Sequence, residues 1–190
     1  MLPDDTLIQS DIHHFKSPRA GYYGTTEAFS HGGVALGDVT QDWFGYTWRA
    51  CIKPDGVYLN RTDTTEHKLV LALPNIEQID FCFDQNMNVV IAYTVAGRPY
   101  LYAYNKQGYQ QRALPEGAHC PRVVLDRVRQ SFSSQSDIIV GFMRDGNIYY
   151  LLQREDYLKE HLVASDPTKR KSMLWRMGWT QDGRIGFAWR

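Results

Sequence analysis

A chain of 190 residues is long enough for one domain, or one domain with an arm, that buries a sizeable core. Lys plus Arg and Asp plus Glu both number 21, and this zero formal charge argues against a nucleic-acid-binding protein, which needs a basic excess for phosphate contacts. No stretch approaches 18 apolar residues and residues 1–5 contain no apolar run, so we predict neither a membrane span nor a signal peptide.

Residues with catalytic or metal-binding chemistry form no complete motif. His13-His14 beside Asp11 could bind a metal, but adjacent histidines in a polar segment are more often solvated or at an interface. His31-Gly32-Gly33 is superficially similar to the oxyanion loop of esterases, yet no Gly-x-Ser-x-Gly elbow accompanies it. Three cysteines without metal-ligand spacing are predicted to be reduced thiols: Cys51, Cys82 and Cys120. We predict no catalytic, cofactor-binding or metal-binding residues, and no cofactor.

Residues 1–40 differ from the rest of the chain. They are rich in glycine and polar residues, contain Pro3 and Pro18, and show no sustained hydrophobic period. We therefore predict an extended N-terminal arm over 1–40, with short strands, that docks on a neighbouring subunit, and a single all-β domain over 41–190.

From residue 43 onward the pattern predicts strand after strand. The run at 89–95 is almost continuously apolar, as expected for a strand buried on both faces. Residues 155–164 fit a strand or a helix, since Leu158 and Leu162 are four apart; the neighbouring strands favour the strand. The predicted strands in chain order are 46–52, 57–60, 68–73, 79–83, 89–95, 100–104, 109–114, 122–125, 137–143, 147–153, 157–164 and two within 174–189.

Four polar corners, each between two apolar runs, indicate a repeated hairpin. Asp-Gly in this position is a strong hairpin signal because Gly tolerates the positive φ that tight turns need. Asp84, Asp145 and Asp182 could be catalytic carboxylates or calcium ligands, but an Asp that bonds its own turn backbone is the simpler explanation. We predict an all-β fold, an antiparallel meander of propeller-like hairpin units. The corners are Lys53-Pro54-Asp55-Gly56, Asp84-Gln85-Asn86, Arg144-Asp145-Gly146-Asn147 and Gln181-Asp182-Gly183-Arg184.

The last predicted unit, 174–189, is only half as long as the others. Because an open sheet edge is a liability, we expect this hairpin to close against the first unit, around Tyr46 and Trp48, or to complete a neighbour's sheet. The tryptophans lie near both ends of the strand region and are predicted to pack where the first and last units meet: Trp43, Trp48, Trp175, Trp179 and Trp189.

Three stretches together resemble a group of virion-associated proteins of tailed bacteriophages, encoded among structural and tail genes. They are the run Ala28 to Leu36, the run from Phe83-Asp84-Gln85-Asn86-Met87 to Tyr93, and the run from Ser136-Asp137 through Arg144-Asp145-Gly146 to Tyr157. The match covers roughly residues 28–160 in the same order. The family usually shows Gln-Arg-Asp followed by a basic and an aromatic residue, whereas this chain has Gln153-Arg154-Glu155-Asp156-Tyr157, with an acid at 156.

The resemblance implies a structural protein of a virion, made in the host cytoplasm, and not an enzyme. We expect many copies in a tail or head-to-tail apparatus, as a homo-oligomer in contact with tail, adaptor or fibre subunits, with neither nucleic acid nor membrane as partner. One alternative is a receptor- or carbohydrate-binding module that recognises a host surface glycan. It predicts exposed aromatic rings at hairpin tips, with Tyr22-Tyr23 and Tyr109 as candidates. A remote alternative is a propeller-type glycosidase or lyase, which needs paired carboxylates about 5 to 10 Å apart in a cleft.

Overall fold

Four antiparallel sheets form the protein. The computed structural model describes residues 6–9, 39–41, 46–84, 86–125, 137–165, 174–179 and 185–189. The predicted all-β fold is confirmed within these ranges. The strands are β1 Thr6–Gln9, β2 Val39–Gln41, β3 Thr47–Lys53, β4 Gly56–Arg61, β5 Lys68–Leu71, β6 Ile76–Phe83, β7 Val89–Val95, β8 Arg98–Asn105, β9 Gly108–Ala113, β10 His119–Leu125, β11 Ile138–Arg144, β12 Asn147–Leu152, β13 His161–Ala164, β14 Leu174–Trp179 and β15 Ile185–Trp189.

Three sheets are four-strand meanders in chain order: sheet I (β2-β3-β4-β5), sheet II (β6-β7-β8-β9) and sheet III (β10-β11-β12-β13). Sheet IV has three strands in the order β1-β15-β14. The predicted four-strand unit at 79–114 corresponds to sheet II and is confirmed. Its strands β6 and β8 begin earlier than the sequence pattern suggested, at Ile76 and Arg98.

The sheets stack face to face with an apolar layer between each successive pair. One layer lies between sheets I and II, a second between II and III, and a third between III and IV. An edge strand of each sheet contacts an edge strand of the next: β2 meets β6, β6 meets β10, and β10 meets β14. This is the propeller-like arrangement of hairpin units that the repeated pattern predicted.

Strand β7 shows why stacked sheets need continuous apolar runs. Side chains alternate along a strand, so Ile91 and Tyr93 face sheet I whereas Val90 and Ala92 face sheet III. All four residues are nearly inaccessible to solvent. The prediction that 89–95 is buried on both faces is therefore confirmed.

The predicted corners that the structure describes all join paired strands, which confirms the hairpins. Asp145 (φ 54°) and Gly146 (φ 78°) both have positive φ, as a type I′ turn requires. Ala96 (φ 50°) and Gly97 (φ 72°) form the equivalent turn of sheet II, which has no Asp-Gly signal. Asp84 instead lies between the first and second strands of its sheet, so the corners do not share one position in the sheets. The corner around Asp182 lies outside the described residues.

The segment that fitted either helix or strand contains both a short helical turn and a strand. Residues Gln153–Glu155 form a 3₁₀ turn, after which Asp156 and Tyr157 both have φ near 55°. Two successive left-handed residues stop a helix, and the chain then extends into β13. The strand interpretation is confirmed, and the helix over 155–164 is wrong.

Sheet IV is built from both ends of the described chain. Strand β1 pairs antiparallel with β15 in the register Thr6↔Trp189, Leu7↔Ala188, Ile8↔Phe187 and Gln9↔Gly186. The C-terminal half unit is thus extended by a strand of its own chain rather than by the first unit. Two stretches of the predicted arm are described, and both form strands, β1 in sheet IV and β2 in sheet I.

The C-terminal hairpin is packed, but against sheet III rather than around Tyr46 and Trp48. Leu174, Met177 and Phe187 are at most 4% exposed and share an apolar layer with β11 and β12. A Cβ atom at Gly141 would overlap Met177 Sδ, so a larger residue at this position of β11 would force the Met177 side chain to move. The expected position of Trp48 is also wrong: its ring lies 5.5 Å from that of Phe83, between sheets I and II. Trp43 is outside the described residues, and the side chains of the other tryptophans are not described.

Candidate functional site

The charged and polar residues of the second and third motif stretches meet at the junction of sheets II and III. Asp84 closes the β6–β7 turn: its Oδ1 accepts hydrogen bonds from the backbone N–H groups of Asn86 and Asn88, both at 2.8 Å. Its Oδ2 accepts from the side-chain amide of Asn88 at 2.9 Å. Asp84 is 6% exposed, so these bonds replace its lost hydration. The prediction of a turn aspartate is confirmed here.

Asp137 joins the two ends of the third motif stretch. The backbone N–H of Arg154 donates to its Oδ1 at 2.9 Å, and Arg154 Nε lies 3.3 Å from its Oδ2. The side-chain oxygen of Gln153 accepts from the backbone N–H of Ile138 at 3.3 Å. Asp137 is 5% exposed. Gln153 and Arg154 therefore hold the 3₁₀ turn against the start of β11.

Tyr157 lies at the centre of the junction, where its ring packs on the apolar layer between sheets II and III. Its hydroxyl oxygen is buried and has no hydrogen-bond partner among the described residues. Burial raises the pKa of Tyr157 far above its ordinary value, and the nearby Cys82 and Asp137 raise it further. The phenol therefore stays protonated at neutral pH and cannot act as a base or nucleophile there.

Arg112 of sheet II faces the acid at position 156 that departs from the family pattern. Its Nη1 donates to the backbone carbonyl of Asp156, and its Nη2 lies 3.7 Å from Asp156 Oδ1. The guanidinium also lies 5.9 Å from the centre of the Tyr157 ring. Because the Asp156 side chain is 80% exposed, the ion pair itself contributes little. Sheet II thus supplies a cation opposite the carboxylate at 156.

A second buried polar group links the first strands of sheets II and III. Asp80 Oδ2 accepts from the backbone N–H of Val123 at 2.8 Å. Arg122 Nη1 donates to the carbonyl of Pro121 at 2.7 Å. With the amide group of Gln78 turned so that its oxygen faces Arg122, that oxygen accepts from both Nη atoms at 3.1 Å. Burial lowers the pKa of Arg122, and the charge of Asp80 opposes that effect. These groups connect the first strands of sheets II and III. The sequence analysis did not identify them, although a charged residue within an apolar strand run is a signal for a buried polar contact of this kind.

Two surface cavities adjoin these junctions. One, of about 380 Å³, lies between sheets III and IV and is lined by Tyr150, Leu152, Phe187 and the Asp137–Arg154 pair. The other, of about 590 Å³, lies between the turns at Ala96 to Pro99 and Pro115 to His119. Burial lowers the pKa of His119, while Asp145 acts in the opposite direction. Each cavity has a single carboxylate among its described lining residues, whereas glycoside hydrolysis uses two.

The tip of the β8–β9 hairpin carries an exposed group of tyrosines. Tyr104 and Tyr109 are each 41% exposed, and their ring centres are 5.3 Å apart at an angle of 76°. The Tyr109 ring stacks on Tyr102 at 4.8 Å, and its hydroxyl accepts from the backbone N–H of Val89 at 3.1 Å. The side chains of Asn105 and Gln107 lie in the same turn, where Asn105 Oδ1 accepts from the N–H of Gln107 at 2.8 Å. The turn therefore combines fixed aromatic rings with amide groups.

Several sequence candidates lie outside the described residues: Asp11, His13-His14, Tyr22-Tyr23, the first motif stretch at 28–36 with His31-Gly32-Gly33, and Asp182. The described residues contain no group of three or more His, Cys, Asp or Glu side chains arranged to hold a metal ion. Cys51, Cys82 and Cys120 form no disulfide with one another. None of the helical segments that the structure describes is long and apolar enough to span a membrane.

No family model, curated protein or solved structure matches this chain.

Proposed function

We propose that this chain is a structural component of a bacteriophage virion, present in multiple copies in the tail or head-to-tail apparatus, and not an enzyme. One observation carries the proposal. The motif residues best suited to chemistry have structural contacts: Asp84 closes a turn of sheet II, Asp137 and Arg154 join the two ends of a hairpin of sheet III, and Tyr157 packs between the two sheets. The sequence resemblance to virion-associated proteins and the zero net charge support the same conclusion.

Its partners are other copies of the chain and other virion proteins: tail, adaptor or fibre subunits. Leu158 and Leu162 are 75% and 57% exposed; Leu162 lies in β13, the last strand of sheet III, and Leu158 precedes that strand. Exposed leucines beside an edge strand are a suitable contact surface for a neighbouring protein. The protein is made in the host cytoplasm and ends in the virion.

The test is the composition of the particle. Mass spectrometry of gradient-purified virions should find this chain at several copies per particle, and the purified protein should oligomerise at high concentration. Particles that lack the chain contradict the proposal. So does a protein that stays monomeric at high concentration and loses residues 1–40 to protease without any effect on assembly.

A second candidate function, carbohydrate binding at the outer end of a tail, is favoured by the tyrosines of the β8–β9 hairpin tip. Tyr104 and Tyr109 expose aromatic surface beside the amides of Asn105 and Gln107, as a module that stacks on sugar rings would. On a glycan array, Tyr104→Ala and Tyr109→Ala should each reduce binding at least about tenfold, if each stacked ring contributes about 1.4 kcal/mol. Tyr46→Ala, which removes a ring of 45% exposure from sheet I, is the control. No binding by the unaltered protein contradicts this candidate.

A further inference from the structure

Strand β1 is short, and a long stretch of sequence separates it from the next described strand. Four residues of β1 pair with β15, and β1 also contacts β13 of sheet III. Residues 10–38 separate it from β2, the first strand of sheet I. A segment of this many residues can span at most roughly 100 Å, which exceeds the dimensions of one such domain.

The same pairing can form within one chain or between two. Thr6↔Trp189 to Gln9↔Gly186 would be made with identical contacts in either case. The choice therefore depends on the local concentration of a second β15 edge relative to the effective concentration of the chain's own β15 edge. Copies held side by side in a particle raise the first of these concentrations, whereas dilution lowers it.

We propose that, in the assembled form, β1 of each copy pairs with β15 of a neighbouring copy, in the register seen within the single chain. This inference rests on the proposed multi-copy function and specifies how one copy holds the next. An unpaired β15 would leave an open sheet edge, so β1 does not simply detach but exchanges one partner for an equivalent one. Because each copy gives its strand to one neighbour and receives one from another, the contact is head-to-tail. Such contacts build rings or tubes.

Cysteine pairs in the observed register test the exchange in the full-length protein. Leu7 and Ala188 are direct partners across β1 and β15, and the separation of paired strand residues permits a disulfide. In the Leu7→Cys/Ala188→Cys protein, mild oxidation at micromolar concentration should give a cross-linked monomer. The same oxidation after assembly should give a covalent ladder on a non-reducing gel. Leu7→Cys with Thr40→Cys, in β2 of sheet I, is the matched control and should cross-link in neither state.

A mixture of two differently tagged chains separates the alternatives further. One chain carries only Leu7→Cys and the other only Ala188→Cys, so a disulfide between the tags requires exchange. An oligomer that forms only intrachain disulfides, or none, overturns the strand exchange and leaves the proposed function standing. A chain that never oligomerises or enters particles overturns the proposed function itself.

Discussion

At the scale of a single residue, burial of the Tyr157 hydroxyl determines how that side chain affects stability. Its hydroxyl is enclosed at the junction of sheets II and III, close to Cys82 and Asp137. A buried hydroxyl without a hydrogen bond costs free energy that the ring must offset by packing. Replacing the hydroxyl by hydrogen keeps the ring and removes that cost.

Tyr157→Phe should therefore leave stability at pH 7 unchanged or increase it by up to about 1 kcal/mol. The folded-state pKa of Tyr157 is raised above the unfolded value of about 10, so its contribution to stability is fully present below pH 10 and is lost as pH rises further. Urea unfolding at pH 7 and pH 11 should show the variant gaining on the unaltered protein at the higher pH. Tyr93, with its pKa raised to about 12, adds the same alkaline loss to both proteins.

Tyr104→Phe, on an exposed ring, is the control and should have little effect at pH 7. A loss of more than about 1 kcal/mol in Tyr157→Phe at pH 7 would show that the hydroxyl has a stabilising partner.

At the scale of secondary-structure elements, the turns determine how neighbouring strands are placed. Glycine is required in these turns for two different reasons. Gly56 (φ 152°) lies where β4 passes β5, and a Cβ atom there would overlap the backbone oxygen of Leu71. Gly97 (φ 72°) has the backbone conformation of a type I′ turn, with open space where its Cβ would lie. The first glycine is needed for contact and conformation, the second for conformation alone.

Gly56→Ala should cost roughly 2 to 5 kcal/mol, because backbone strain adds to a clash with backbone atoms that cannot rotate away. Gly97→Ala should cost roughly 1 to 2 kcal/mol, the penalty for an L-residue in a left-handed conformation. Chemical denaturation of the two variants under the same conditions measures the difference. Equal losses would mean that β5 shifts freely away from Gly56.

At the scale of the molecule, the three apolar layers make each sheet depend on the next. Sheet III has one face against sheet II and the other against sheet IV, so its residues Ile139 and Met143 lie under the C-terminal hairpin. Removal of that hairpin would expose the second face to water. Full burial of each of Leu174, Met177 and Phe187 contributes roughly 1.5 to 3 kcal/mol.

Deletion of residues 174–190 should therefore cost several kcal/mol and give aggregated protein, measured by thermal unfolding and gel filtration. A milder pair of variants tests the same packing without truncation. Leu174→Ala, at a fully buried position, should cost about 2 to 5 kcal/mol, whereas Leu162→Ala, at 57% exposure, should cost less than about 0.5 kcal/mol. A soluble truncation that unfolds cooperatively and still assembles would show that the hairpin is dispensable.

Local chemistry determined the strands and many of the turns. The apolar run of β7 predicted burial on both faces, and Asp145-Gly146 predicted a tight hairpin, because side-chain period and positive φ depend on neighbouring residues alone. The turn at Ala96-Gly97 carries a weaker signal, since alanine rarely adopts positive φ. For the same local reason, 155–164 stayed ambiguous until the left-handed Asp156 and Tyr157 excluded a helix.

Tertiary structure alone decided which distant segments meet. The pairing of β1 with β15 joins residues almost a full chain length apart, and any apolar edge could have served as the partner. The meeting of Arg112 with Asp156 likewise depends on how sheets II and III stack. Sequence period specifies which face of a strand is apolar. Which surface covers that face is determined by the tertiary structure, because the hydrophobic effect is not directional.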